Sequence, residues 1–570
     1  FARDDVNAST PPLAVIRAIV SLAASKPGVR FLAVYDISVA FFHAVIDEDI
    51  TVIPPRGTSR QGYFWILLKA MYGTRRAAQL WQEHLATVFR NGNWVRLQNI
   101  AGAFYEPNLD VTVAVHGDDF IGEGTEESLN VLDQLLLASM DVKMMPRIGP
   151  GAASSGRYLK RVVRWIGSGF TWEADPKHVG RVVELLDLGD AKPADTPGTK
   201  SAGLGMRDSL EPLVGDELAM FPQIGGLLNY VAIDRPDIQY AVKCVLNDMH
   251  SPTKRSLLRA KRIGRYLKGK PILEWQFPKQ DLPRRVVYQS DSDWAADMDT
   301  RKSTTCVFGY FGLHLLETQV ATQAVVALSS GEAEFYAVGR AAASAIMMRQ
   351  FYEQVGLPVR AVIQSDSSAA RGMASRIGCG KIRHLQIRDL WIQERVRSGD
   401  LLLEKALTAD NTSDLGTKHI DAKRIEKLVG LAGMRFRVGE AVQAVVRGLA
   451  VGALLTRQTV VAAAAAPGEA NTVVAAAAAP GAANLRSSNV DSLLLLAFVA
   501  GACSIALLIG ICWCLCRKRH HPSSCMQALV DSTSGRHGSE QAAAAAAPGS
   551  EPAAALAASG RSTCMQAPVD

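Results

Sequence analysis

The sequence predicts a multidomain chain of mixed α/β and α+β class, followed by a low-complexity tail with one transmembrane-like helix. Up to about residue 420, apolar strand-like runs that end in carboxylates alternate with amphipathic helical runs. Farther on, VVAAAAAPGEANT (460–472) is nearly repeated as VVAAAAAPGAAN (473–484), a composition typical of a linker. Residues 492–516 then carry no charge and are long enough to span a bilayer.

Length, charge and cysteine content restrict the class of protein. A chain of 570 residues predicts several domains, and the net charge of +7 permits a polyanionic partner. Before residue 500 there are only Cys244, Cys306 and Cys379, without paired spacing, so neither a disulfide framework nor a cysteine zinc site is expected. No secretory signal follows Phe1, and we expect the chain to be a fragment of a longer protein.

The first candidate site is the motif VAVHGDDFI, residues 113–121. Neighbouring strand residues point to opposite faces, so Asp118 and Asp119 are expected at a tight turn. Adjacent carboxylates repel each other unless a cation neutralises them, although a simple hairpin turn is the alternative, because Gly and Asp favour turns. Asp36 ends the apolar run FLAVYDI and is expected to meet them at the mouth of one sheet. Three carboxylates are enough to hold two divalent ions for nucleotide transfer.

Two basic segments are candidates for contacts with nucleic acid. Lys69, Arg75 and Arg76 precede a predicted amphipathic helix. The segment KRSLLRAKRIGRYLKGK (254–270) has eight basic residues and no acidic one, which suits a phosphate backbone or a solvated helix face. Helical spacing predicts that one side of this segment is apolar, formed by Leu257, Leu258, Ile263 and Leu267.

Four acidic residues between residues 286 and 418 define the second candidate site. Asp291 and Asp366 each end an apolar strand. Glu334 lies near the start of a long helix, after a Ser-Ser N-cap signal, and Asp414 lies in a short capped helical segment. Each acid alone is more often a cap or a surface residue. Their order along strand, hairpin, helix, strand, helix, strand and helix fits a ribonuclease H fold.

Three further residues near this site have other interpretations. Asp293 and Glu332 are alternatives in register for the acidic set. We interpret Asp293 as a structural or capping residue and Glu332 as support for the helix dipole. His384 lies on a predicted helix and is interpreted as structural, without a catalytic role.

These motifs resemble those of copia-type retrotransposon Pol polyproteins over roughly residues 10–420. The similar segments of the first part are YDISVAFF, MYGTRRAAQLW and HGDD. The segment FPQIGGLLNYVAIDRPDIQYAV is similar to the connection of that family. The similar segments of the last part are SDSDWAADMDTRKSTTCVFGYFG, VALSSGEAEFYA, IQSDSSAA and ADNTSDLGTK.

The resemblance implies a polymerase palm and thumb followed by a ribonuclease H-like domain. It predicts a reverse transcriptase palm with the fingers mostly missing, a thumb and connection, and a ribonuclease H-like domain, in residues 1–150, 151–283 and 284–425. An Ala/Pro-rich linker, the transmembrane-like helix and a disordered low-complexity tail are predicted for residues 426–491, 492–516 and 517–570.

The resemblance also implies RNA-directed DNA polymerase and ribonuclease H activity, each with two Mg²⁺ ions per active site and Mn²⁺ as an alternative. The implied catalytic and metal-binding residues are Asp36, Asp118, Asp119, Asp291, Glu334, Asp366 and Asp414. Phe41 matches an aromatic gate that excludes the ribose 2′-hydroxyl, whereas Phe41 taken alone favours a core position. The implied nucleic-acid contacts are Lys69, Arg75, Arg76, Lys254, Arg255, Arg259, Lys261, Arg262, Arg265 and Lys268.

The implied partners are an RNA template, a DNA primer, an RNA/DNA hybrid and deoxynucleotide triphosphates. We expect a mobile-element enzyme of the cytoplasm or nucleus, or a single-pass membrane protein if residues 492–516 are part of the mature protein. Two alternatives remain: a catalytically silent nucleic-acid-binding relic and a membrane-anchored host protein that co-opted the fold. Missing fingers favour the relic for polymerisation, whereas the complete set of four acids favours an active nuclease.

Overall fold

The computed structural model describes residues 10–55, 57, 63–199, 210–380 and 382–437. These residues belong to one compact unit. They form three large β-sheets, one two-stranded sheet and eleven α-helices, which confirms the predicted mixed α/β and α+β class.

The strands and helices have the following bounds. The strands are β1 (Phe31–Ile37), β2 (Thr51–Val52), β3 (Trp65–Ile66), β4 (Val95–Arg96), β5 (Ala103–Glu106), β6 (Val111–His116), β7 (Asp119–Gly124), β8 (Val142–Met144), β9 (Ser155–Tyr158), β10 (Arg161–Trp165), β11 (Gly169–Ala174), β12 (Ile272–Pro278), β13 (Arg285–Ser292), β14 (Thr304–Phe311), β15 (His314–Thr322), β16 (Arg360–Ser365), β17 (Leu401–Lys405) and β18 (Met434–Arg437). The helices are α1 (Leu13–Ser25), α2 (Ala77–Asn91), α3 (Glu126–Ser139), α4 (Lys177–Leu185), α5 (Gly215–Ala232), α6 (Pro236–Asn247), α7 (Lys254–Gly269), α8 (Ser330–Gln354), α9 (Ser368–Ser375), α10 (Trp391–Arg397) and α11 (Ala422–Leu431).

The first sheet has the antiparallel strand order β4-β5-β6-β7-β1-β8. Side chains of β1 alternate between its two faces, as the period of a strand requires. Leu32 and Val34 join the core cluster that contains α1, whereas Ala33 and Tyr35 join the cluster that contains residues of α2 and α3. Nearly all of α1 is buried, which is typical of a helix that is apolar on every side.

The second sheet, β18-β12-β11-β10-β9, lies beside the helices α4 to α7, which share their own apolar cluster. In α7, Leu257, Ile263 and Leu267 are buried as predicted. Leu258 is 57% exposed, so its predicted place on the apolar side was wrong. The reason is geometric, because adjacent residues of a helix are rotated by about 100° and do not share one face.

The third sheet has the strand order β15-β14-β13-β16-β17. The strands β13, β14 and β15 pair antiparallel, and β13, β16 and β17 pair parallel. Helix α8 packs on this sheet against β13, β14 and β16. The order strand, hairpin, helix, strand, helix and strand is the one that the sequence predicts for residues 286–405.

The predicted linker boundary at residue 426 was wrong. Helix α11 continues to Leu431, and β18 follows it and pairs antiparallel with β12. Met434 is the register partner of Trp275, and the two are far apart along the chain. Because β18 is short and its partner is distant in sequence, no local pattern reveals it.

A buried ionic cluster connects the parts of the fold. The side chain of Asp234, in the turn between α5 and α6, accepts hydrogen bonds from Arg17 at 2.8 Å, Arg161 at 2.9 Å and Trp172 at 3.0 Å. Arg17 of α1 also donates to the backbone carbonyl of Leu316 in β15 at 3.1 Å. Burial alone would raise the pKa of Asp234, but the charges of Arg17 and Arg161 lower it below its usual value.

No helix in the described part of the chain is both long and apolar enough to cross a membrane. The predicted transmembrane-like helix at 492–516 and the predicted tail at 517–570 lie outside the described residues.

Candidate active sites

The first candidate site lies at the hairpin between β6 and β7. His116 is the register partner of Asp119, so Gly117 and Asp118 form a two-residue turn. Gly117 has a positive φ of 71°, whereas Asp118 is not among the residues with positive φ, a pattern typical of a type II′ turn. The predicted tight turn at Asp118 and Asp119 is thus present in the structure.

The sheet register brings Asp36 to this hairpin. Asp36 of β1 lies directly opposite Asp119, so both side chains project from the same face of the sheet. The backbone amide of Ile37 donates to the carbonyl of Asp118 at 3.0 Å. The register thus sets Asp119 opposite Asp36, whereas Asp118 belongs to the turn.

Repulsion between carboxylates shapes the electrostatics of the hairpin. The pKa of Asp119 is raised, first by burial and then by the charges of Asp118 and Asp36. Among the described residues, one group of three possible metal ligands has ligand atoms within 4.8 Å of one another, and it does not include these aspartates. Asp36, Asp118 and Asp119 are therefore farther apart than that. Sequence alone therefore indicated which carboxylates meet here but not their spacing.

We expect Gly117→Ala to lower the free energy of unfolding by about 1–2 kcal/mol, because a Cβ atom is strained at its positive φ. No neighbouring heavy atom would contact that Cβ within 4 Å, so the cost is one of conformation and not of space. Gly117→Asn should cost less, since Asn tolerates this region better. Denaturant unfolding of the three proteins checks the order, and equal stability of Gly117→Ala and the parent would contradict it.

Phe41 lies beside the hairpin between β6 and β7. The Phe41 ring is half-buried, lies 4.4 Å from that of Tyr72, and borders a cavity of about 180 Å³ that Trp81 and Gly117 also line. Trp81 donates from Nε1 to the carbonyl of Gly117 at 2.9 Å. The structure thus brings Phe41 to the hairpin, and its role as a gate stays a prediction.

The predicted basic residues before α2 differ in their surroundings. Lys69 donates to the carbonyl of His43 at 3.0 Å, and Arg76 forms an ion pair with Asp47. Arg75 is exposed. Lys69 and Arg76 are thus engaged within the chain. Contacts of Lys69, Arg75 and Arg76 with nucleic acid stay predictions.

The basic face of α7 is less uniform than predicted. Acidic residues from neighbouring segments pair with two of its cations, as Glu211 does with Lys254 and Asp248 with Arg259. Other cations bond to the segment that follows α4, where Arg262 donates to Thr196 and Arg265 and Lys268 donate to backbone carbonyls. Arg255 and Lys261 are half-buried. The segment 254–270 contains no acidic residue, so the sequence suggested a face without negative charge. The acids that pair with α7 lie outside this segment.

The second candidate site lies at one edge of the third sheet. The parallel register pairs Ser290 with Ser365, so the following residues, Asp291 and Asp366, come side by side. Glu334 projects from the first turns of α8, which packs across β13 and β16. The carboxylate oxygens of Asp291, Glu334 and Asp366 lie within 4.8 Å of one another. The structure thus brings together three of the four acids that the sequence singles out.

Burial, with repulsion from neighbouring carboxylates, disfavours the charged forms of Asp291 and Glu334. Burial raises the pKa of Asp291 to about 6, and the charges of Asp414 and Asp366 raise it further. A hydrogen bond from the Thr417 hydroxyl opposes this rise and lowers the pKa. Burial, followed by the charges of Asp291 and Asp366, raises the pKa of Glu334 to about 9. Such groups are costly in a fold unless a cation neutralises them.

The donor set fits a hard divalent cation. Glu334 Oε2 is buried and has no hydrogen-bond partner, so one carboxylate oxygen is left for a ligand. Three carboxylates with oxygen donors suit Mg²⁺ or Mn²⁺, and no soft ligand is present among the three.

Asp414 is close to this triad but bonded elsewhere. Its Oδ1 lies 2.7 Å from Lys418 Nζ, and its Oδ2 lies 3.0 Å from a guanidinium nitrogen of Arg424. Asp414 is therefore held by two cations and lies outside the compact triad, and its predicted role as a metal-binding acid stays a prediction. Sequence reasoning missed these cations, although Lys418 stands four residues after Asp414 at the end of ADNTSDLGTK.

Asp293 and Glu332, the two alternatives for the acidic set, form hydrogen bonds with the backbone, which fits their interpretation as structural residues. Asp293 accepts from the Thr304 backbone amide at 2.6 Å. Glu332 accepts from the Leu328 amide at 3.0 Å, and its own amide donates to the N-cap residue Ser329 at 3.2 Å. His384 Nε2 lies 2.9 Å from Glu332, so this histidine contacts the helix cap and not the triad.

We expect the metal-free protein to lose stability as pH rises from about 7 to 9. In this range folded Glu334, with its pKa raised to about 9, holds a proton that the unfolded chain has released, so rising pH favours unfolding. Thermal unfolding in a chelator should show a falling midpoint, and Glu334→Gln should flatten the slope. A midpoint that rises over this range in the parent protein would contradict the assignment.

Comparison with known proteins finds a family match and several relatives with similar sequences. Residues 2–200 match the family described as reverse transcriptase (RNA-dependent DNA polymerase), so the first part of the chain is of the reverse transcriptase class. The chain is 27% identical over 446 residues to the retrovirus-related Pol polyprotein from transposon TNT 1-94 of Nicotiana tabacum, a match that covers 76% of this chain and 33% of the relative. It is 26% identical to the corresponding polyprotein from transposon RE1 of Arabidopsis thaliana, covering 70% of this chain and 27% of the relative.

These matches confirm the resemblance to copia-type retrotransposon Pol polyproteins that the motifs predict. The chain spans about a quarter to a third of the length of the curated relatives described above. Among solved structures, a foamy viral protease-reverse transcriptase in complex with RNA/DNA hybrid is similar, with 12% identity, a TM-score of 0.41, and coverage of 71% of this chain and 46% of that one.

Proposed function

We propose that this chain carries out RNA-directed DNA synthesis and hydrolysis of the RNA strand of RNA/DNA hybrids. The observation that carries the nuclease half is the buried triad Asp291, Glu334 and Asp366, whose oxygens lie within 4.8 Å of one another. The polymerase half is supported by the register that sets Asp36 opposite Asp119 at a hairpin. In this proposal residues 1–150, 151–283 and 284–425 act as palm, thumb and connection, and nuclease.

In the nuclease centre Asp291, Glu334 and Asp366 would hold the divalent ions. Bound Mg²⁺ or Mn²⁺ supplies activation of water and neutralisation of the leaving oxygen in phosphodiester hydrolysis. The strand ends fix Asp291 and Asp366 side by side, and α8 brings Glu334 to them from a different element. Thr417 donates to Asp291 and thereby restricts the orientation of that carboxylate. Discrimination for RNA would come from contacts with its 2′-hydroxyls.

In the polymerase centre Asp36, Asp118 and Asp119 would hold the ions for nucleotide transfer. The Phe41 ring, which lines a cavity together with Gly117 of the turn, would act as the sugar gate. The substrates would be an RNA template, a DNA primer and deoxynucleotide triphosphates. We place this activity in the cytoplasm or nucleus, where these substrates occur.

The test uses the full-length chain with magnesium and a hybrid whose RNA strand is labelled. We expect endonucleolytic cleavage of the RNA strand and none of the DNA strand. Asp366→Asn should abolish cleavage, whereas Asp119→Asn should leave cleavage intact and affect only extension of a primer on an RNA template. Folded parent protein that cleaves no hybrid would refute the nuclease proposal, and cleavage that persists in Asp366→Asn would refute the assigned site.

A further inference from the structure

The ammonium group of Lys418 lies beside the acidic residues of the nuclease centre, and the proposed function assigns it no role. Its Nζ lies 2.7 Å from Asp414 Oδ1 and its side chain is 48% exposed. Its charge acts on Asp291 and Glu334 as well, where it opposes the rise of each pKa. Lys418 is thus a cation whose charge acts on the region that a divalent ion would neutralise.

Arg424, the other cation on Asp414, is fixed in a different way. Its guanidinium also donates to the backbone carbonyls of Thr408 at 3.0 Å and of Ala409. The backbone amide of Arg424 donates to Asp421, the N-cap residue of α11, at 2.9 Å. Arg424 is therefore anchored by several hydrogen bonds besides its ion pair with Asp414, whereas Lys418 Nζ forms an ion pair with Asp414.

We propose that Lys418 is a resident counter-ion of the nuclease centre, which occupies Asp414 in the metal-free protein and is displaced when divalent metal binds. The Lys418 ammonium group and a divalent ion carry like charges and repel each other, so each weakens the binding of the other to the acidic centre. Displacement frees Asp414 Oδ1 to become a fourth oxygen ligand. Lys418 acts through the acids and is a positioning residue. This inference rests on the proposed nuclease function.

The arrangement accounts for two observations at once. It explains how four acidic residues remain close together in a fold without metal, since Lys418 offsets part of their repulsion. It also explains why Asp414 lies outside the triad although it was predicted with it. A flexible, half-exposed lysine side chain is suited to leave the centre, because its charged end reaches water without a change of the backbone.

The experiment measures Mg²⁺ and Mn²⁺ binding by calorimetry in the full-length chain. All proteins carry Asp118→Asn and Asp119→Asn, so that the titration reports on the nuclease centre. Lys418→Gln should bind metal at least about fivefold more tightly than the parent, because the competing charge is gone. Its thermal midpoint in a chelator should be lower than that of the parent, and added metal should restore it. Lys418→Arg, which retains the charge, should resemble the parent in both measurements.

The matched control is Lys427→Gln. Lys427 also pairs with an aspartate, Asp410 at 2.9 Å, and is 49% exposed, but its partner does not belong to the acidic set. This variant should leave metal affinity unchanged. Equal metal affinity of Lys418→Gln and the parent, together with hybrid cleavage by the otherwise unmodified chain, would overturn the inference and leave the nuclease proposal standing. Absence of metal binding in every protein, with no cleavage, would overturn both.

Discussion

Asp291→Asn is expected to reduce hybrid cleavage by about three orders of magnitude, because several kcal/mol of charge stabilisation depend on the metal ligands. The substitution also removes one of three mutually repelling carboxylates, which lie within 4.8 Å of one another. The asparagine oxygen is still able to accept from Thr417. We therefore expect the thermal midpoint in a chelator to rise or stay unchanged while activity disappears, a combination that loss of folding would not produce.

The control for this prediction is Asp293→Asn, two residues along the chain. Asp293 is also buried in part and accepts from the Thr304 amide at 2.6 Å, but it does not belong to the triad. Its substitution should alter stability more than metal-dependent cleavage. Full cleavage by Asp291→Asn together with none by folded Asp293→Asn would show that the register of the metal ligands has been assigned wrongly.

Asp234→Ala is expected to lower the free energy of unfolding by about 3–5 kcal/mol, because it leaves buried charges without their partner. Arg17 is 3% exposed and pairs with Asp234 at 2.8 Å, and Arg161 pairs with it at 2.9 Å. The variant removes both ion pairs and the hydrogen bond from Trp172. Because Arg17 also bonds to Leu316 in β15, we expect the contact between α1 and the third sheet to weaken.

Chemical unfolding of the full-length chain measures this effect, with Asp410→Ala as the control. Asp410 pairs with Lys427 at the surface, where both side chains are about half exposed, so its loss should cost at most about 1 kcal/mol. A loss of stability in Asp234→Ala no larger than that in Asp410→Ala would show that the buried cluster does not hold the fold together.

The sequence identifies the acids because their positions follow from local patterns. Asp36, Asp291 and Asp366 stand at or just after the ends of apolar strands, and such ends converge at one edge of a sheet. Glu334 follows an N-cap at Ser329 that the structure contains. These signals extend over a few residues each, so periodicity and turn chemistry are sufficient to find them.

The partners of these acids were not predictable in the same way. Arg17 and Asp234 are 217 residues apart, and the pairing of β12 with β18 joins residues that are 159 to 165 positions apart along the chain. The cations of α7 find partners on the loop before α5 and on the segment that precedes α7, which the composition of α7 does not reveal. Long-range contacts of this kind depend on the whole fold and leave no local trace.

The central claim is that Asp291, Glu334 and Asp366 form a centre for divalent metal. Anomalous diffraction from crystals of the chain grown with Mn²⁺ locates such an ion directly. We predict a peak in contact with one oxygen of each of the three side chains, at about 2.0–2.3 Å, with Lys418 turned away from Asp414. Ordered side chains at this centre with no anomalous peak between them, at saturating Mn²⁺, would contradict the account.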